Sequence, residues 1–240
     1  FNSIYYISAH HTVAINLGIV QSTTPAFIMI ISMFWLKTRI NLKQVTGLLI
    51  TFIGVSIVIS NGNLASLLRL KLNNGDLLLI VACIFYAIYA VGLRKRPKIN
   101  DILLMTIFSY VAFIGSLPGL VIEITQYSFF FPTFKGLIIL SVIIIFPSLL
   151  AQILFMKGVK IVGPSLSGLY TNLVPIFTSV LAIIVLDEVF HIYHLISLII
   201  IFLGIYIFDR KKIWLIIVNY FEADIDIILY NVISFIYGFY

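Results

Sequence analysis

Amide and hydroxyl side chains stand out in this sequence because the residues around them are almost all apolar. Gln21 and Thr24 come just before Pro25, and Tyr170, Thr171 and Asn172 just before Pro175. Tyr86 and Gln152 sit in two further apolar runs. These groups donate and accept hydrogen bonds without carrying charge, which suits the gripping of an uncharged or zwitterionic solute. Each proline removes its own amide donor and disturbs the bond to the carbonyl four residues back. Pro25 and Pro175 are therefore expected to kink their helices and to leave the Gln21 and Thr171 carbonyls as acceptors beside polar side chains. Pro147 is a third expected kink, with Gln152 about one turn further on. The competing reading is that the serines, threonines and asparagine bond to neighbouring helices. For Tyr86, Tyr89 and Tyr110 it is an interfacial belt or helix packing.

Other chemistry has little to stand on. His191 and His194 are three apart, with Asp187 and Glu188 nearby in sequence and His10 and His11 expected on the same outer side. A wet interfacial cluster is the favoured reading of these histidines, and neither metal nor cofactor is assigned. The lone Cys83 excludes an intrachain disulfide and reads as packing. There is no glycine-rich phosphate loop, no His-Glu-x-x-His and no nucleophile elbow, so the chain is not read as an enzyme.

The elements that must position these side chains follow from composition. Of 240 residues, 62% are hydrophobic and 10% charged, and the mean hydropathy is +1.16. A soluble domain is about half apolar and a quarter charged. Lipid must be the solvent for most of this chain. The formal charge of +6 and pI near 9.4 do not indicate nucleic acid, because the cations lie in short loops between apolar runs.

Seven runs reach or approach the roughly 20 residues that cross a bilayer. They are Thr12–Leu36, Gln44–Ser60, Leu77–Leu93, Ile102–Ile122, Gly136–Met156, Gly163–Leu186 and Phe190–Phe208, and none contains Asp, Glu, Lys or Arg. They are apolar on every face, which excludes the period-two alternation of a membrane β-barrel. Twelve of the fifteen lysines and arginines follow the first, third, fifth and seventh runs, and three lie in the other loops. This bias is expected to place the first set, and the end of the seventh run, on the cytoplasmic side of the cytoplasmic membrane. The tail 213–240 is apolar but carries Glu222, Asp224 and Asp226, which fit neither a clean span nor a basic interfacial helix.

The chain also resembles itself. Gly18 aligns with Gly168, Pro25 with Pro175, Phe27 with Phe177 and Gly54 with Gly204, at one offset and without a gap. The first two runs thus read as copies of the last two. Five crossings separate the copies, so they face opposite ways, as in the inverted repeats of secondary transporters. Residues 1–60 are then the end of one repeat and 61–212 a complete second one. The fold expected is an all-α polytopic membrane protein showing seven transmembrane helices of a ten-helix, five-plus-five inverted repeat, with three spans upstream of Phe1.

Together these segments resemble the drug/metabolite transporter superfamily, in particular the EamA-type permeases. Lys157-Gly158-Val159-Lys160-Ile161-Val162-Gly163-Pro164 is similar to the family's loop into its ninth helix, and Leu173-Val174-Pro175-Ile176-Phe177 to its kinked helix. Leu186-Asp187-Glu188 resembles its acidic turn and Phe202-Leu203-Gly204-Ile205-Tyr206 its closing helix. Thr24-Pro25-Ala26-Phe27 and Ile53-Gly54-Val55 repeat the pattern, and Gly75-Asp76-Leu77 resembles the start of the second half. Lys37-Thr38 stands where the family usually has Gly-Glu. The resemblance implies a permease or exporter moving a small organic metabolite or drug by alternating access. The absence of an acid or base within the runs points to uniport or exchange rather than proton coupling. The expected partners are membrane lipids and a small-molecule solute, with a homodimer left open and no nucleic acid. A non-transporting structural or assembly subunit is the second reading, and an intramembrane lipid enzyme the third.

Overall fold

A computed structural model describes residues 1–69, 71, 73–126, 132–186 and 189–209, and among these every regular element is helical. In order they are α1 (Asn2–Ala9), α2 (Ala14–Gln21), α3 (Thr24–Trp35), α4 (Leu42–Ile59), α5 (Asn74–Gly92), α6 (Asp101–Gln126), α7 (Phe134–Ile143), α8 (Ala151–Val162), α9 (Pro164–Tyr170), α10 (Val174–Leu186) and α11 (Ile192–Phe208). A π-helical stretch, Ile144–Leu150, joins α7 to α8, and a 3₁₀ turn, Thr171–Leu173, joins α9 to α10. Helix is the outcome lipid enforces, because only an element that satisfies its own backbone can stand in hydrocarbon.

Five stretches are long and apolar enough to cross a membrane: Ala14–Trp35, Leu42–Ile59, Asn74–Lys95, Asp101–Val121 and Phe134–Val162. They match the first five expected spans, and the chain is an all-α polytopic membrane protein. The last two expected spans take another form. The sixth is broken at the 3₁₀ turn, and α11 has 17 residues, about 26 Å of helix. The acidic turn at Asp187-Glu188, the basic run Arg210–Lys212 and the tail 213–240 lie outside the described residues.

The starts of α4 and α5 lie two and three residues earlier than hydropathy placed them, because polar caps extend these helices. Asn41 accepts from the Gln44 amide at 3.0 Å while the Gln44 side chain accepts from the Asn41 amide at 3.1 Å. Asn73 and Asp76 form the same reciprocal box at the start of α5. Asp76 is thereby brought inside the helix that crosses, where it is fully buried. Its carboxyl accepts from the Asn73 amide at 2.9 Å, from Asn16 Nδ2 at 2.7 Å and from the Thr12 hydroxyl. Three donors from two elements satisfy the buried group and pin α2 to α5.

The central seam is α4 against α11. A Cβ built on Gly204 would fall 2.6 Å from Thr51 Cγ2 and 2.7 Å from the Gly47 carbonyl oxygen. One built on Gly54 would fall 2.6 Å from Ile201 Cγ1. Without side chains at these points the backbones come into contact, the usual device of helices packed in lipid. As numbering rises along α4, the residues contacted on α11 fall, so the two helices run antiparallel. The contact is also reciprocal. Gly54 meets Ile201, while Gly204, its counterpart in the repeat, meets Thr51, the counterpart of Ile201. Gly168 packs in the same way on the fully buried Ile28, which joins α9 to α3. Gly115 and Gly119 behave differently. An added Cβ at either meets nothing within 4 Å among the described residues. Among the described side chains of α6 only Leu104 is buried, and none in α7 is.

Candidate functional site

The three prolines coincide with three interruptions. Pro25 is the second residue of α3, directly after a turn at Ser22-Thr23, and Pro175 is the second residue of α10, directly after the 3₁₀ turn. Pro147 lies within the π-helical stretch. The carbonyls expected to be free are engaged. Gln21 O accepts the Thr24 hydroxyl at 2.6 Å, and Thr171 O accepts the Val174 amide. A proline withdraws one donor, and a neighbouring hydroxyl or a tighter turn supplies another.

The seven residues singled out by sequence fall into two groups. Tyr86 and Gln152 line a cavity of about 930 Å³ bounded by α1, α5, α6 and the fifth span. Gln21, Thr24, Tyr170, Thr171 and Asn172 do not line it. Gln21 is exposed at the end of α2, and Tyr170 packs against the core around Leu48, Leu166 and Ile201. Thr171 donates to the Gly168 carbonyl at 2.6 Å. Asn172 is 2% exposed and donates to Thr51 Oγ1 at 3.2 Å, a polar tie from the sixth span to α4.

The cavity wall has a consistent chemistry. Tyr86 and Tyr89 are three apart on α5, so they share a face. Their rings lie 5.8 Å apart, and Tyr86 reaches Phe155 at 5.6 Å. Phe108 meets the edge of Tyr89 at 5.8 Å. The Tyr89 hydroxyl donates to Gln152 Oε1 at 3.3 Å, linking the third span to the fifth. That leaves the Gln152 amide nitrogen without a bond among the described residues. Ser109 and Ser116 line the wall from α6, and Ser148 lines it from the π-helical stretch. No Asp, Glu, Lys, Arg or His is among the lining residues. Aromatic faces beside hydroxyl and amide groups can hold a small organic body and orient it by hydrogen bonds.

Sequence reading passed over Ser109, Ser116 and Ser148 and favoured an interfacial belt or helix packing over cavity lining for Tyr89. A signal existed in Met105, Ser109, Ala112 and Ser116, which recur at helical spacing on one face of α6. Tyr110, also considered for the cavity, is 64% exposed on the outer face. Of the histidines, His194 Nδ1 accepts from the His191 amide at 3.1 Å and so caps α11, while His10 and His11 lie in the turn after α1. Cys83 is buried in a cluster with Val20, Leu79 and Ala82.

Membrane-spanning helices around a cavity without charged side chains define an integral multi-pass membrane protein. Residues 1–60 and 73–208 match the EamA-like transporter family, and the chain belongs to it. It is 25% identical to the uncharacterized transporter YyaM of Bacillus subtilis over 211 residues, covering 85% of this chain and 67% of that one. It is 27% identical to the uncharacterized transporter YetK of the same organism, covering 88% of this chain and 64% of that one. The chain thus spans about two thirds of the length of these relatives. One crystal structure of a protein shares the fold, with a TM-score of 0.72 at 15% identity over 89% of this chain and 73% of that one.

Proposed function

We propose that the chain is the greater part of a secondary transporter that moves a small uncharged or zwitterionic organic solute across the cytoplasmic membrane by alternating access. The observation that carries this reading is the cavity between the third, fourth and fifth spans, walled by Tyr86, Tyr89, Ser109 and Gln152 and free of charged side chains. Without an acid or base on the wall, uniport or exchange is the mode that fits.

Alternating access rests on residues 1–60 and 61–212 being inverted copies. Two features support that arrangement. The breaks before Pro25 and Pro175 fall at matching places, and the α4–α11 seam is antiparallel and reciprocal in the repeat's own alignment. Rocking about that seam would open the cavity to one side and then the other. The loops rich in lysine and arginine are assigned to the cytoplasm.

The test is solute movement. Cells expressing the protein, in whatever full length its gene encodes, are loaded with a panel of neutral and zwitterionic metabolites and followed for efflux. One or more solutes should leave faster than from control cells, and Gln152→Leu should remove most of that excess. A transported solute whose flux is untouched by both Gln152→Leu and Tyr86→Phe would place the path outside this cavity.

A further inference from the structure

A second, smaller cavity lies on the side of the molecule that bears the basic loops. Its volume is about 210 Å³, and its walls are the end of α3, the turn into α4, Arg94, the junction of α8 with α9, and Phe208 at the end of α11. That is below the roughly 300 Å³ at which pockets begin to take drug-sized ligands, and it suits a small polar group. Two arginines, Arg39 and Arg94, line it, and no carboxylate does.

The polar groups on this wall are incompletely used. Ser32 lines the cavity at 1% exposure, and its hydroxyl has no partner among the described residues. A buried hydroxyl without a partner is destabilising, so one found in a wall beside two cations marks a place where an acceptor is missing. Arg94 donates through Nη1 to the Lys160 carbonyl at 2.8 Å, which uses one of the five N–H donors of a guanidinium. Arg39 makes no hydrogen bond or ion pair among the described residues. An acceptor that engages two guanidinium forks and a hydroxyl has the chemistry of a phosphate group.

We infer that this cavity binds a phosphate-type anion, held by the guanidinium groups of Arg39 and Arg94 with the Ser32 hydroxyl as third donor. The group is carried by an anionic lipid headgroup or by a free phosphate; both present the same oxygens. Ser32 and Arg39 belong to the first repeat, and Arg94 and the α8–α9 junction to the second. An occupant therefore ties one to the other from outside the solute cavity. The inference stands on this wall alone and is independent of the transport reading.

The purified protein, stripped of anionic lipid in a neutral detergent, is titrated at fixed ionic strength with inorganic phosphate and, separately, with short-chain phosphatidylglycerol. The thermal unfolding midpoint reads binding. A saturable rise with phosphate alone assigns a free anion, a rise with phosphatidylglycerol alone assigns a headgroup, and a rise with both assigns the phosphate group itself. Arg39→Gln should weaken the apparent affinity about tenfold or more. Ser32→Ala should weaken it less. Lys157→Gln, which removes an exposed cation of α8 outside the cavity, should leave it unchanged. Absence of any rise in the wild-type protein overturns the site, and so does an equal loss in Lys157→Gln and Arg39→Gln. Should Arg39→Gln fail to fold, Arg39→Lys keeps the charge without the fork, and wild-type affinity in that variant overturns the clamp.

Discussion

Adding one methyl group at Gly204 tests the seam on which the two halves meet. The new Cβ of Gly204→Ala would lie 2.7 Å from the Gly47 carbonyl oxygen and 2.8 Å from the Thr51 amide nitrogen. The first distance is about 0.7 Å inside ordinary contact, which begins near 3.4 Å, and both atoms are backbone that no rotamer can move. The helices must separate by a similar amount, and a gap of that size forfeits about a quarter to a half of the dispersion energy of the contacts it opens. Overpacking of this kind costs about 1–3 kcal/mol. For a chain of this length that lowers the unfolding midpoint by roughly 2–4 °C per kcal/mol, read in a mild detergent. Gly54→Ala should cost a similar amount, but its nearest obstacle is the Ile201 side chain at 2.6 Å. Ile201→Ala removes that obstacle, so the double variant Gly54→Ala/Ile201→Ala should lose about 1 kcal/mol less than its parts predict. The same Ile201→Ala should not relieve Gly204→Ala. A wild-type midpoint for Gly204→Ala, or equal relief of both glycine variants, refutes backbone contact at this seam.

Other outcomes follow from single features. Lys37 holds a φ of 54°, a left-handed conformation that favours glycine, so Lys37→Gly should raise stability by up to about 1 kcal/mol in the same unfolding measurement. Asp76→Ala removes a helix cap, leaves Thr12 and the Asn73 amide without their acceptor and costs Asn16 one of its two; a loss of about 1–3 kcal/mol is expected, and a neutral result would show that water replaces the carboxyl. Tyr89→Phe deletes the 3.3 Å bond to Gln152 while keeping the ring, so it should weaken solute affinity a fewfold with little change in stability, as read by concentration-dependent flux. In a Cys83→Ala background, Lys37→Cys should be labelled by an impermeant thiol reagent only in inside-out vesicles and Lys135→Cys only in right-side-out ones; labelling of both from one side refutes the assigned orientation.

The spans could be read from sequence because lipid leaves so few alternatives. Apolar runs of this length must be helices, and Pro25 and Pro175 mark where two of them break. Helix starts were less legible: the caps at Asn41 and Asn73 are polar and sit outside any hydropathy window, which is how Asp76 came to be counted as loop. The cavity was half legible. In α6, the face towards lipid and the face towards the cavity are similarly apolar, so amphipathicity gives little guide to the direction of Ser109 or Tyr110. Asn172 is polar within a span and invited a binding role, but its partner is Thr51, far away in sequence, and only the folded chain brings the two together. A solitary polar residue in a lipid-facing sequence announces that it has a partner without saying whether the partner is protein or ligand.

The π-helical stretch Ile144–Leu150 gives the fifth span a mechanical option that a straight α-helix lacks. Each of its hydrogen-bonded loops encloses one residue more than an α-turn. Were the stretch to rewind as α-helix by yielding a single residue, everything beyond it would swivel by about 100° about the helix axis. Gln152 would leave its place opposite Tyr89, and a different set of side chains would face the solute. Winding alone, with no hinge and little sideways displacement, would be enough to change what this wall can hold.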